Sequence, residues 1–429
     1  MRSVLGQFGA KARARVGKRD IGIVAVRVVC VLAGLELAYV LGANALLRSN
    51  GVVALVEAAD GVKLDYASAY SVVPGHVHVK RLRLRFEDYN VQFQVFVEKG
   101  TLDIGLSELV ARKFHVYSLL ADGVSFRMRH KSHGVGNNAE RFAAYPKIEG
   151  FADPPLYHGV KSPSTPDDQY DLWQVRIDDV VAHANELWVL EYRYTGDAEA
   201  RGSFLVQPER LVRVEPAALR IRRGTLRVGA TPVARQLNGT IECSVPHLDV
   251  KNTVGVEVFH SISTKLDLNL ADGDARFLNV YGAPKHEPKV SGPLSMSIRA
   301  RITRGVVEPG TQLLAATPAL ELAWPNVTLT TQLGLSFGRL RPEPELNLNA
   351  TLQDARVDAR HATSSIAGPR TRQASATLVL GGVDLAKPLE VTGAEAALEA
   401  RLANLAWFDG FFDAKQPLHV SGSADAALK

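Results

Sequence analysis

Acid–base or metal chemistry in this chain would have to come from twelve histidines and the carboxylates near them, and their spacing keeps them apart. His76 and His78 would share one face of a strand, and His130 and His133 stand at the start of a polar stretch. Neither pair has the clustered carboxylates or cysteines that would complete a metal site. The doublets Glu87-Asp88 and Asp178-Asp179 fall where strands would end, so turn chemistry accounts for them. A phosphate-binding loop, a strict Gly-x-Gly-x-x-Gly fingerprint and a His-Glu-x-x-His pair are all missing. No enzyme and no cofactor is indicated. Two cysteines, Cys30 and Cys243, are too few for a disulfide framework.

The basic residues are the next candidates. The chain carries 50 Lys and Arg against 45 Asp and Glu, a formal charge of +5 over 429 residues. Six of those cations (Arg2, Lys11, Arg13, Arg15, Lys18, Arg19) precede any acidic residue, which leaves the remainder at −1. A body with no net positive charge and 7% aromatics lacks both the field and the stacking platforms of a nucleic-acid binder. Basic residues on strands, notably Arg81, Arg83 and Arg85, could meet anionic headgroups, and serve equally well as exposed or edge-blocking residues.

The early cations have a positional meaning. From Ile21 to Leu47 run 27 mostly apolar residues, against the roughly 20 that a helix needs to cross a bilayer. The positive-inside rule then divides the chain into a cytoplasmic tail (1–20), a transmembrane helix (21–47) and an exported body, periplasmic if the membrane is a bacterial inner membrane. A cleavable signal peptide ending near Ala43-Asn44-Ala45 is the alternative, and the length of the run favours a retained anchor. Within the anchor, Arg27 can snorkel to the headgroups, whereas Glu36 either faces a partner or is a tolerated carboxyl.

Period-2 alternation dominates the body. Val91, Phe93 and Val95 alternate with glutamines; Leu102 and Ile104 follow; Leu266, Leu268 and Leu270 and then Leu294, Met296 and Ile298 repeat the pattern. Each run makes a strand with one apolar and one polar face. Short helices are expected at 52–59, 107–114 and 310–316. Alternation stops over 131–170, read as a loop or linker between an N-terminal α+β module (48–130) and a repetitive β domain (171–429). A rhythm shared by the stretches beginning at His76 and Trp173 suggests repetition.

The layout of basic start, single span, short helix and the stretch VVPGHVHVKRLRLRFEDYNVQFQVFVEKGTLDIGLSELVARKFHVYSLLADGVSFRMRH resembles the AsmA-like, TamB-related proteins of Gram-negative envelopes. These are bacterial relatives of chorein-type bridge-like lipid transfer proteins. Later segments such as GPLSMSIRARITRGVVEPGTQLLA resemble that family's two-faced repeating strands. The resemblance implies a mainly β fold: a long twisted antiparallel sheet curled into an open, taco-like groove, with phospholipid acyl chains on the apolar face. It also implies lipid transport between inner and outer membrane, support of envelope integrity, and an outer-membrane or periplasmic protein partner. Alternation by itself favours a packed sandwich or barrel, in which case the chain would be an envelope scaffold or assembly factor, and it is the anchor, the exported body and the resemblance that turn the reading toward the groove.

Overall fold

The computed structural model describes residues 18–49, 51–57, 61–109, 111–134, 139–157, 174–207, 210–249, 252–253, 255–282, 288–325, 327–339, 341–361, 364–387, 390–402 and 424–428. The N-terminal helix α1 (Lys18–Arg48) holds the apolar span and is followed by α2 (Gly51–Glu57). Strands follow in near-unbroken succession: β1 (Val62–Asp65), β2 (Ser68–Ser71), β3 (His76–Glu87), β4 (Val91–Ile104), β5 (Lys113–His130), β6 (Gln174–Val189), β7 (Tyr192–Gln207), β8 (Leu211–Val228), β9 (Thr231–Asp249) and β10 (Ser263–Asp274). The second half adds β11 (Lys289–Ser291), β12 (Pro293–Thr303), β13 (Val306–Val307), β14 (Thr311–Ala323), β15 (Val327–Arg339), β16 (Glu345–His361), β17 (Ser364–Gly381), β18 (Glu390–Leu402) and β19 (Ala424–Leu428). Two short helices, α3 (Leu106–Leu109) and α4 (Ala139–Ala143), lie before and after β5, and 3-10 turns occupy Gly255–Ser261 and Ala275–Tyr281.

All of these strands belong to one sheet. β1 and β2 lie end to end along the outer edge of β3, the ladder then runs in chain order to β10, and β12, β14 and β15 to β19 continue it. Among the described residues no ladder joins β19 to β1 or β2, so the sheet is open. About sixteen lanes at ~4.8 Å give a span of roughly 75 Å.

Two expectations need correction. The sheet is not antiparallel throughout, because β5 and β6 run parallel, with Lys113 beside Gln174 and Met128 beside Val189. A parallel pair needs a long crossover, which the 131–173 connection supplies. The stretch 310–316, expected to be helical, enters strand β14, where Leu313 and Ala315 pair on both sides in the period-2 rhythm of their neighbours. The stretch 107–114 yields only the single turn α3, which ends where Arg112 takes a positive φ, whereas α2 falls where a short helix was expected.

The crossover has a structure of its own. Residues 139–157 lie across the polar face of β3 to β6, held by Arg129, whose side chain is fully buried. Its guanidinium donates to Gln92 Oε1 (2.8 Å), Pro146 O (3.0 Å), Asp153 Oδ1 (2.9 Å) and Ala152 O (2.7 Å). Arg83 reaches Glu149 (2.7 Å), and Arg127 and Arg193 both pair with Glu186. At the start of the parallel junction His115 is buried between two carboxylates, with Nδ1 on Glu108 (2.8 Å) and Nε2 on Asp178 (2.6 Å). Burial pulls the imidazole down, but the bonds to Asp178 and Glu108 outweigh it and hold it above its ordinary value. Glu108 lies below the usual carboxylate range, chiefly through its bond to His115, and Asp178 does so although burial opposes it.

Strands this long must keep their apolar residues on one side, and bulges do this. The alternation is interrupted by three-residue steps at Val79 to Leu82, Ala121 to Val124, Ile221 to Gly224, Thr317 to Leu320 and Leu352 to Ala355. These steps coincide with positive φ at Arg81, Gly123 and Asp354 or with shifts of register. Each extra residue returns the apolar positions to the same face and bends the strand.

Gly239 (φ +139°) is held where a Cβ would lie 2.0 Å from Asp267 O. Gly239→Ala should therefore cost about 2 kcal/mol or more, read as a lower midpoint of urea unfolding. The His115 cluster makes a separate prediction. Its cationic form stabilises fully below the unfolded imidazole value of about 6.5 and loses that contribution as pH rises through the raised folded value. Its carboxylates contribute above about pH 4. The melting-temperature difference between wild type and His115→Gln should thus be largest between about pH 4.5 and about pH 6.5 and shrink as pH rises beyond that through the raised imidazole value; a difference independent of pH would refute the clamp.

Candidate functional site

The sheet's apolar face can be followed rung by rung through its register. One rung joins Leu64, Leu84, Val95, Phe126, Leu187, Tyr194 and Leu226. A second joins Ala182, Ala200, Leu219, Ile241, Leu266 and Ala300. A third runs from Leu268 through Ile298, Leu313, Phe337, Leu348 and Leu378 to Ala394. Directly opposed residues share a face, so these rungs make one apolar surface that crosses the parallel junction without a break.

Exposure distinguishes this surface from a core. Leu266, Leu268, Leu294, Met296, Ile298, Leu313, Phe337 and Leu348 are all half-buried, each reached by solvent from the side a second sheet would cover in a sandwich. Full burial occurs in patches, among them Val116 and Ala121 in β5, Val327 and Leu346 in β15 and β16, and one cluster against the second 3-10 turn. In that cluster Phe277 of the 3-10 turn joins Val228, Val233, Ala234, Leu237 and Leu270. In that region the Tyr194 ring lies over Gly224 and its hydroxyl donates to Arg223 O (3.1 Å), burial pushing the phenol up to about 12.

The reverse face carries the charges. Lys265 pairs with Glu242 (3.0 Å), Arg222 with Glu199 (3.0 Å) and Arg299 with Asp267 (3.7 Å). The sheet is also curled along its far part. The turn after β17 meets the β12–β13 turn, with Val307 N donating to Val383 O (2.8 Å), Leu385 N to Gly305 O (2.9 Å) and His260 against Asp384 (3.0 Å).

The groove residues expected from sequence fall on this surface. Phe93 and Val95 line it near β3, where Phe86, Phe93 and Phe126 stack at centroid distances of 5.0 and 6.2 Å, and Val91 ends the same row opposite His130. Leu102 and Ile104 continue it beyond the bulge, opposite Leu119 and Val116. Leu266, Leu268, Leu294, Met296 and Ile298 lie at its centre, and Leu270 is covered by the 3-10 turn. The three arginines lie elsewhere. Arg83 and Arg85 occupy the polar face, bound to Glu149 and to Asp65 (2.8 Å), and Arg81 is the exposed bulge residue. Arg27 and Glu36 are exposed on α1, whose Cys30–Arg48 portion has a mean hydropathy of 1.8 and is long and apolar enough to cross a membrane.

The polar chemistry is saturated rather than poised. His76 bonds Asp103, His78 approaches Thr101 (3.2 Å), His130 meets the Tyr145 hydroxyl (3.0 Å) and His115 spends both ring nitrogens on carboxylates. Among the described residues no group of three or more metal-ligating side chains occurs. Gly334-Leu335-Ser336-Phe337-Gly338 spells Gly-x-Ser-x-Gly, yet it lies in mid-strand β15, paired on both sides, and forms no strand-to-helix elbow.

Sequence reasoning missed two groups. One is the Arg129 lock on the 139–157 segment, which no motif announces. The other is the clasp between α1 and the sheet: Asn44 donates to Ser71 O (2.7 Å) and accepts from Ser71 N (3.1 Å), while the Tyr39 hydroxyl lies on Ser71 Oγ (2.7 Å) and accepts from Gly75 N (3.1 Å). The signal was available, since Tyr39 and Asn44 are polar residues inside an apolar run longer than a span requires.

No family model, no curated protein and no solved structure matches this chain.

Proposed function

We propose that this protein is an inner-membrane-anchored periplasmic carrier that holds phospholipid acyl chains on the apolar face of its open sheet and passes them toward the outer membrane. The observation that carries this reading is a continuous apolar face left half-exposed along most of its length. Every acyl CH₂ buried there is worth about 0.8 kcal/mol, so a chain lying across several rungs recovers what it loses on leaving a bilayer. The layout shared with AsmA-like and TamB-related proteins points the same way, as does the pairing of an apolar inner face with a charged outer one.

The anchored placement has support of its own. Cleavage after Ala43-Asn44-Ala45 would remove both Tyr39 and Asn44, the two residues that clasp helix to sheet. A retained α1 keeps the sheet attached at the membrane, as a carrier that loads from that membrane requires. A protein partner in the periplasm or outer membrane that added a strand to this sheet would lengthen the face.

An open face and a closed core answer a buried charge differently. Leu268→Asp or Ile298→Asp on a half-exposed face should cost about 1 kcal/mol, because the carboxylate keeps its water, whereas a closed core would lose about 3–5 kcal/mol. The expected result is therefore a folded protein, by circular dichroism and urea titration, that co-purifies with far less phospholipid by mass spectrometry. Unfolding of both variants would favour the scaffold with closed cores, and undiminished lipid in folded variants would remove this face as the carrier.

A further inference from the structure

We propose that the β2–β3 turn, together with Leu106, is a membrane-inserted wedge that opens the near end of the apolar face into the acyl layer of the bilayer. The inference rests on α1 being the anchor and adds where the sheet stands relative to the membrane.

The clasp sets the height. Tyr39 comes eighteen residues after Ile21, about 27 Å of helix rise, at the far boundary of a hydrocarbon core about 30 Å thick. Its hydroxyl bonds both Ser71 and Gly75, which pins the two ends of the β2–β3 turn at that boundary. A tyrosine is also a preferred side chain at that depth. The surplus of the apolar run, from Val40 to Leu47, then lies beside the sheet, where Asn44 grips Ser71 and Leu47 O accepts from the Tyr66 hydroxyl (2.6 Å).

The turn carries the surface this position calls for. Val72 and Val73 are each 57% exposed, with Tyr70 and Leu106 also open. Gly75 O accepts from Ile104 N (2.8 Å), which places the β4–α3 corner bearing Leu106 beside the turn. In water this cluster would be an uncovered apolar patch; in the bilayer it continues the exposed surface of α1 formed by Leu35 and Leu37. Lys113, exposed at the start of β5, stands near this corner and suits an anionic headgroup.

The wedge also joins the proposed carrier surface. The first rungs above it are Val77, Leu102, Leu119 and Val180, all apolar and on the groove face. An acyl chain leaving the leaflet at the wedge meets these rungs without crossing a polar rim.

The test uses the full chain, with Cys30→Ser and Cys243→Ser, in vesicles of phosphatidylethanolamine and phosphatidylglycerol. An environment-sensitive fluorophore is placed singly at Val73→Cys, Leu106→Cys, Leu32→Cys in the span, and Arg299→Cys on the outer face. The labels at positions 73, 106 and 32 should emit to the blue and be quenched by spin-labelled lipid, with only the label at 299 quenched by aqueous iodide. Iodide quenching at 73 and 106 with lipid quenching retained at 32 would overturn the wedge and leave the anchor standing; iodide quenching at 32 would overturn both. The paired change Val72→Asp with Val73→Asp should leave the melting temperature unchanged and lower lipid loading from the vesicles roughly ten-fold, the weight of about one buried valine. Unchanged loading would overturn the wedge as the route onto the sheet.

Discussion

Strand parity is the constraint on which the whole structure depends. Because side chains alternate, a slip of one residue in any strand would turn its apolar set to the charged side and break every rung that crosses it. In a two-layer sandwich the second layer would help to enforce the right face. Here most of the face has no second layer, so the register must be written into each strand and its neighbours. The three-residue steps meet this need: the strands are long enough to twist out of phase, and the bulges restore the phase while adding curvature. Gly239 and Gly123 mark places where the backbone takes conformations a side chain would resist.

A sheet with one uncovered face must find its rigidity on the other side. The surface ion pairs of the second half contribute little individually. The first half is different, because the 139–157 segment covers the polar face and Arg129 satisfies four acceptors from a fully buried position. Removing one partner of such a buried group leaves the rest unsatisfied, so the segment and the sheet stand or fall together. The parallel pairing of β5 with β6, the weakest kind of ladder, lies beneath this cover and beside the His115 clamp.

The mainly β class, the single apolar helix and the two-faced strands were legible in the sequence because alternation in runs such as Leu266 to Leu270 is a local signal. Openness was not, since Leu268 has the same neighbours in sequence whether its face is bare or packed. The parallel junction was hidden for a related reason: it depends on where a long connection returns the chain, and nothing in β5 or β6 alone records direction. The partners of Arg83 and Arg85 were hidden because a basic residue on a polar face reads identically whether it faces solvent or the carboxylates of a segment lying over it. The 310–316 stretch was misread because its turn signals at Gly310 masked the alternation that begins at Leu313.

The composition of the face changes along its length, and this bears on what a bound chain would experience. Some rungs are large in both halves, as in Val95, Phe126, Leu187 and Leu226 or in Ile298, Leu313, Phe337 and Leu348. Others are small in both halves, as in Ala121, Ala182 and Ala200 or in Ala350, Ala376 and Ala396. Smaller side chains touch fewer CH₂ groups per rung, so on the proposed reading the hold on an acyl chain would vary from rung to rung. The covered cluster under Phe277 adds a local barrier at one side of the early rungs. A carrier that gripped tightly at one place would trap its cargo; on the proposed reading, a face that mixes large and small rungs along its whole length spreads the hold.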